Sequence, residues 1–442
     1  MPPTDQSFRS STVLAILPIA MLLSSTQAHA ATYRVGPGRT YTNLQAVAGL
    51  LNPGDVVEVD GDVTYPGDVT FTRPGSAASP IVIRGVRVNG KRPVLSGGAN
   101  TVFFRTDDIG SGADHYVLEG FEVTGGSSRC VYHQSNDLTL RDVAVHDCPA
   151  HGVLGADWGS GSITIEHSEV YRCGGLPPGE TNYKHQIYIG MDEYSYPAGV
   201  FRLQYSWLHD ALGQAANVKS RAARNEIYYN RIEGSPTHEL ELIGAECCEE
   251  NVVREDSDVV GNLIIKKNDF YLMRLGGDGT GQTWGRYRLV NNTIISGSSA
   301  VFRLFDGLES VEMHNNVFYR SVGPVTVVRT ADAVWASGER IAGSNIWVVT
   351  GSTGIPTQWT GTLTGSSPGF TNAAGGDYSP VAGSPLLNAG NAAPSGPSGY
   401  PFPNPLFPPA FHPPGTPGAF GTPNPRPVDG SLDIGAYERP VR

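Results

Sequence analysis

The sequence predicts an all-β chain wound as a parallel β-helix, and three observations lead there. Paired strand-like segments recur at a near-constant spacing, no helical periodicity lies between them, and the chain is rich in Gly with only 17% charged residues. "HYVLEGFEVTGG" from His115, "DLTLRDVAVHDC" from Asp137 and "SITIEHSEVYRC" from Ser162 open the series. "VFRLQYSWLHDA" from Val200, "RNEIYYNRIEGS" from Arg224, "DSDVVGNLIIKK" from Asp256, "RYRLVNNTIISG" from Arg286 and "LESVEMHNNVFY" from Leu308 continue it. Each joins an alternating strand, a short polar corner and a second strand. Leu118 to Leu140 is 22 positions, Leu140 to Ile165 is 25 and Leu203 to Ile227 is 24. That period is too short for a strand–helix–strand unit or a four-stranded propeller blade. One coil of a β-helix fits it, each coil burying its inward residues by stacking on its neighbours.

At the N-terminus, Arg9 precedes the apolar run "VLAILPIAMLL" (Val13 to Leu23), and "AHA" (Ala28 to Ala30) supplies small residues for cleavage. The run is too short to span a bilayer, so residues 1–30 read as a secretory signal. The expected location is secreted or periplasmic, with no membrane span. "YTNLQAVAGLLNPGDVVEVDGDVTY" (Tyr41 to Tyr65) reads as a short helix and then a strand, a cap over the open edge of the first coil. Residues 31–350 are expected to hold the cap and the β-helix. From 351 to 442 Gly, Pro and Ser accumulate, most densely in "PFPNPLFPPAFHPPGTPG" (Pro401 to Gly418). This tail is expected to be extended chain packed back on the helix.

Within the repeats, Asn230, Asn262, Asn292 and Asn316 recur at the corner between the paired strands, where stacked amides can bond as a ladder. Of the five cysteines, Cys148 and Cys173 hold matching places in consecutive repeats and are expected to stack or to pair. Cys130, Cys247 and Cys248 complete the set, without metal-type spacing. Export would permit disulfides.

The strand preceding each pair carries the polar residues of interest. Alternation puts Ile187, Ile189, Val218, Leu240 and Leu242 inward. Gln186, Tyr188, Asn217, Lys219, Arg221, Glu239 and Glu241 are then outward, and Arg274 and Arg303 follow by the same logic. With neighbouring strands about 4.8 Å apart, Tyr188, Lys219, Glu239 or Glu241, Arg274 and Arg303 form a row. His133, His151, His185 and His209 lie on nearby coils. The net charge of −11 argues against a general nucleic-acid binder, so the basic stretch "AANVKSRAARNEIYYNRI" (Ala215 to Ile232) is a local feature. A stripe of paired surface charges is the bland alternative.

The stretch "NVKSRAARNEIYYNRI", with the repeats, the helical cap and the "SPLLNAGN … DIGAYE" ending, resembles secreted bacterial right-handed parallel β-helix proteins. Its "KS … N … I … N" pattern resembles that of β-helix polysaccharide lyases such as chondroitinase B and the alginate lyases. The resemblance implies β-elimination on an anionic, uronate-containing polysaccharide by a monomer. Lys219 matches the base that removes the proton α to the carboxylate. Arg221 and Arg224 would favour its neutral form, and Arg274, Tyr188 or His185 would donate the proton or hold the carboxylate. His209, Asn217, Glu239, Glu241, Arg224 and Arg303 are the expected substrate contacts. The resemblance also makes calcium a candidate cofactor, but the carboxylates that would hold it are replaced by Ala215 and Asn217. The arginine expected on the next coil is replaced by "HELELIG". Two other readings stay open: a glycoside hydrolase or epimerase using Glu239 and Glu241, and a non-catalytic glycan-binding surface protein.

Overall fold

The computed structural model describes residues 30–106, 112–175, 183–244, 256–277, 285–298, 300–304, 308–330, 340–397, 399, 408–415, 423–427 and 430–439. The predicted signal, Cys247 and Cys248 lie outside them. Three long parallel sheets, of 12, 10 and 12 strands, run the length of a right-handed β-helix. One coil shows the plan: Val200–Gln204 lies in the first sheet, Trp207–His209 in the second and Val218–Ser220 in the third. Gln45–Ala48 forms the short cap helix, burying Val47 and Ala48, before the strand Val56–Asp60. Among the described residues, no helix is long and apolar enough to cross a membrane.

Inward residues stack coil upon coil. Leu118, Leu140, Ile165, Leu203, Ile227, Val259 and Leu289 are in direct register. All are at most 1% exposed, so each contributes about 1.5–3 kcal/mol of hydrophobic burial.

The asparagine ladder forms as expected. Nδ2 of Asn230, Asn262 and Asn292 donates to Oδ1 of the next asparagine at 3.0, 3.0 and 2.9 Å. Each of these three, and Asn316, also donates Nδ2 to a carbonyl of the preceding coil at 2.8 Å: Leu203, Ile227, Val259 and Leu289. Serines extend the line backwards, with Ser206 N bonded to Asn230 Oδ1 and Ser168 N to Ser206 Oγ. The residue before each asparagine is left-handed, with φ of 56° at Tyr229, 69° at Gly261, 52° at Asn291 and 55° at Asn315.

Cys148 and Cys173 hold matching places on neighbouring coils, as expected, but they do not pair with each other. Cys148 is bonded to Cys130, and Cys173 is a buried free thiol. The neighbouring register explains it: Arg129 and Val131 pair with His151 and Val153, so Gly152 sits where Cys130 sits one coil earlier. Cys173 therefore faces a glycine whose added Cβ would lie only 2.9 Å from its sulfur. Burial pushes this thiol up to about 12, which leaves it unreactive.

The tail adds the strand Leu363–Gly365 to the second sheet and then crosses the corner of the coils. Asn291 donates to the carbonyls of Asp433 and Gly435, and Ala436 N to Thr293 Oγ1.

Candidate active site

The third sheet carries the site. Its strands Ile187–Ile189, Val218–Ser220, Leu240–Leu242, Met273–Leu275 and Ala300–Leu304 are in register. Tyr188, Lys219, Glu241, Arg274 and Arg303 are direct neighbours along it, all partly exposed. The row predicted from alternation is present, and Glu241 is its carboxylate. Lys219 Nζ lies over the Tyr188 ring at 5.0 Å, and Arg303 lies over Tyr271 at 4.9 Å.

A second line runs along the upstream edge of the sheet, three residues before the row. His185 Nδ1 is 3.2 Å from the Ala216 carbonyl, which selects the tautomer with hydrogen on Nδ1. Burial holds His185 down at about 4, so it is neutral at pH 7. Its ring lies 5.4 Å from Tyr188 and is stacked 6.0 Å from His151. His238 Nδ1 lies 2.6 Å from Glu241 Oε1. Burial would raise Glu241, but His238, His185 and Lys219 outweigh it and hold the carboxyl down at about 2. His238, Tyr271 and Arg329 were missed from sequence, although His238 opens the quoted "HELELIG". It lies three positions before Glu241 and outside the strand, which begins only at Leu240, so alternation could not place it.

Several expected contacts sit elsewhere. Arg221 is only 2% exposed, because the strand ends at Ser220 and alternation ends with it. Its Nε bonds Tyr188 Oη at 3.2 Å and its Nη1 bonds the Gly244 carbonyl at 2.6 Å, so it supports Tyr188 from below. Gln186, Asn217 and Glu239 precede their strands and turn into the corner, where all three are fully buried. There Gln186 Nε2 bonds Asn217 Oδ1 at 2.6 Å, Asn217 Nδ2 bonds Glu239 Oε2 at 2.5 Å, and buried Lys266 pairs with Glu239 at 3.3 Å. Burial pushes Glu239 up to about 7. Asn217 and Glu239 are thus not surface contacts, and Glu239 and Glu241 do not form a carboxylate pair on one face.

Arg224 lies on the first sheet, paired with Glu226 and Asp258. It is neither a neighbour of Lys219 in register nor a substrate contact on this face. His209 lies on the second sheet between Glu169 and Asp210, at 2.9 and 2.8 Å. His133 is fully buried against Ser135 and Gly161, and burial lowers it to about 4. Among the described residues, no group of three His, Cys, Asp or Glu side chains could hold a metal ion. Ala215 and Asn217 are both buried, so the positions matching the calcium carboxylates present no ligand to the surface.

No protein-family model matches the chain, and no curated protein matches it. Among solved structures, pectate lyase Pel9A matches with a TM-score of 0.55 at 14% identity, over 93% of this chain and 96% of that one. A rhamnogalacturonan lyase gives 0.45 at 12%, over 72% and 87%. An alginate lyase from Paenibacillus sp. str. FPU-7 gives 0.40 at 16%, over 69% and 99%. The first of these establishes the fold alone, and the other two add no argument to it.

Proposed function

We propose that this chain is a secreted or periplasmic polysaccharide lyase that cleaves a uronate-containing polymer by β-elimination, with Lys219 as the base. The observation that carries the reading is the row itself: a lysine flanked in register by a tyrosine and a carboxylate, with two arginines on the following coils. β-Elimination needs three things: a base for the α-proton, positive charge for the carboxylate as it becomes an aci-enolate, and an acid for the leaving oxygen. In this reading Lys219 takes the C5 proton. Arg274, two coils along, holds the carboxylate, its planar fork suited to bidentate contact. Tyr188 gives the leaving oxygen its proton. Arg221 bonded to the phenol oxygen stabilises the phenolate that results. Neutral His185 cannot serve as an imidazolium acid at pH 7, which favours Tyr188 for that step.

The hydrolase or epimerase reading loses its carboxylate pair, since Glu239 is fully buried. The test is incubation of the mature protein with a panel of uronate polysaccharides, with calcium and with EDTA. Ultraviolet absorbance reports the C4–C5 unsaturated uronate that elimination leaves. A rise on one polymer, lost in Lys219→Ala, supports the reading and assigns the substrate class. Reducing ends without absorbance would replace it with hydrolysis, and polymer binding without turnover would replace it with a glycan-binding role.

A further inference from the structure

The row of the third sheet is longer than the catalytic group, and its chemistry changes at Lys219. Upstream of Lys219 the register runs Thr70, Phe103, Tyr132, Leu154, Tyr188, without a charge. From Lys219 to Arg303 it runs Lys219, Glu241, Arg274, Arg303, and every member is charged; the register then shifts and brings Thr330 beside Arg303. From Phe103 to Arg303 there are seven steps, about 34 Å at the strand spacing. That is long enough to seat several sugar residues on both sides of Lys219.

Exposed aromatic side chains on the adjoining loops follow the same division. Trp158, on the loop after the strand His151–Gly155, is 58% exposed. Tyr194, on the loop after Ile187–Ile189, is 65% exposed, and Tyr183, before that strand, is 71% exposed. The two downstream loops are tied by one buried carboxylate: Asp192 accepts from Gly159 N at 2.9 Å and from Ser195 N at 3.0 Å. Trp158 and Tyr194 are therefore large apolar side chains presented on braced loops. Arg129 and Lys184 are cations at this end, both acting on His151, and Arg129 is the one placed on a strand of this sheet. It sits on the edge, bonded to Ser128 at 2.9 Å and Asn100 at 3.4 Å, with its guanidinium 4.1 Å over Tyr132. At the other end Arg303 and Arg329 both lie over Tyr271, at 4.9 and 5.6 Å, beside Arg274.

We infer that this face is polarised, and that its substrate is a heteropolymer whose cleaved bond has a neutral sugar next to it on the aromatic side and a uronate next to it on the arginine side. The inference rests on the lyase reading for the position of that bond. A neutral sugar offers an apolar C–H face that suits an aromatic ring, whose π-face is electron-rich. A carboxylate held over Phe103 and Leu154 would meet Arg129, whose guanidinium is already engaged with Ser128, Asn100 and the Tyr132 ring. Over Arg274, Arg303 and Arg329 it gains charge-assisted contacts.

The test uses two probes: an alternating glucuronate–N-acetylglucosamine polymer (hyaluronan) and a uronate homopolymer (polygalacturonate). Affinity electrophoresis compares the wild-type protein with a Trp158→Ala/Tyr194→Ala variant, whose exposed sites leave the unfolding midpoint unchanged. The expected result is tighter binding of hyaluronan by the wild type. In the variant that affinity falls about tenfold, a loss of about 1.4 kcal/mol, while polygalacturonate binding holds within about twofold. Equal loss on both polymers, no loss on either, no binding of either, or a preference for polygalacturonate overturns the inference. The ultraviolet assay runs alongside. Selective binding with no unsaturated product from any polymer sinks the lyase reading and leaves the polarity standing. Product from polygalacturonate without selectivity does the reverse.

Discussion

Two rows of outward side chains climb this molecule, one on the first sheet and one on the third, with the same register and opposite character. On the first sheet Arg34, Glu58, Arg84, Glu119, Arg141, Glu166 and Gln204 follow one another coil by coil. Sign alternates, and neighbours pair: Arg34 with Glu58 at 3.2 Å, Arg84 with Glu119 at 2.6 Å, Arg141 with Glu166 at 2.6 Å. On the third sheet Arg274 and Arg303 are adjacent like charges, and Lys219 and Arg303 rest on aromatic rings. Alternation exhausts the electrostatics of a ladder within the protein. On the third sheet Glu241 separates Lys219 from Arg274, and the like pair Arg274 and Arg303 leaves a local excess of positive charge that would attract an anion.

The largest expected effect separates the rows by function. Lys219→Ala should cut turnover about 10²–10⁴-fold, the range for a general base, with the urea unfolding midpoint unmoved. A loss of stability in parallel with activity would make Lys219 a scaffold residue instead. Next, Arg303→Glu converts the site row toward the alternating pattern of the first sheet. Affinity for an anionic polymer should fall about tenfold or more, while thermal stability holds or rises slightly as the Arg274 repulsion is relieved. Unchanged polymer affinity would remove Arg303 from the binding face.

Acid should find the site sheet before the charge ladder. His185 has its folded value lowered from 6.5 to about 4 by burial. As pH falls from 6.5 toward 4, the unfolded chain takes up a proton that the folded chain refuses, so stability is full above that window and lost through it. His185→Asn should flatten the slope of stability against pH there. An unchanged slope assigns the acid sensitivity elsewhere, His133 being the first alternative. The smallest effect is expected on the first sheet: Arg141→Ala should cost under about 1 kcal/mol and leave turnover alone, as exposed ion pairs usually do.

The rows also mark where a sequence can be read. Inside a strand, period-two alternation is rigid, so Tyr188, Lys219, Arg274 and Arg303 could be placed from their apolar neighbours. One residue beyond a strand end the rule lapses. Gln186, Asn217 and Glu239 turn into the corner, and Arg221 folds beneath Tyr188. Alternation also says nothing about which of three sheets a segment joins, and this is how Arg224 and His209 were assigned to the wrong face. The asparagine ladder was legible because identical residues recurred at one corner. The disulfide was not, because its partner is set by what occupies the facing strand, and a glycine at 152 leaves Cys173 unpaired.

The ladder has a mechanical consequence. Each interior asparagine grips the coil behind it through a carbonyl and the coil ahead through an amide oxygen. Load applied along the axis is therefore shared by three turns at a time, and the grip has a fixed polarity from Asn230 to Asn316. Pulled from its C-terminal end, such a spring peels turn by turn rather than giving way at once. Its length can change only in whole turns, since any shorter insertion must be pushed out into a loop.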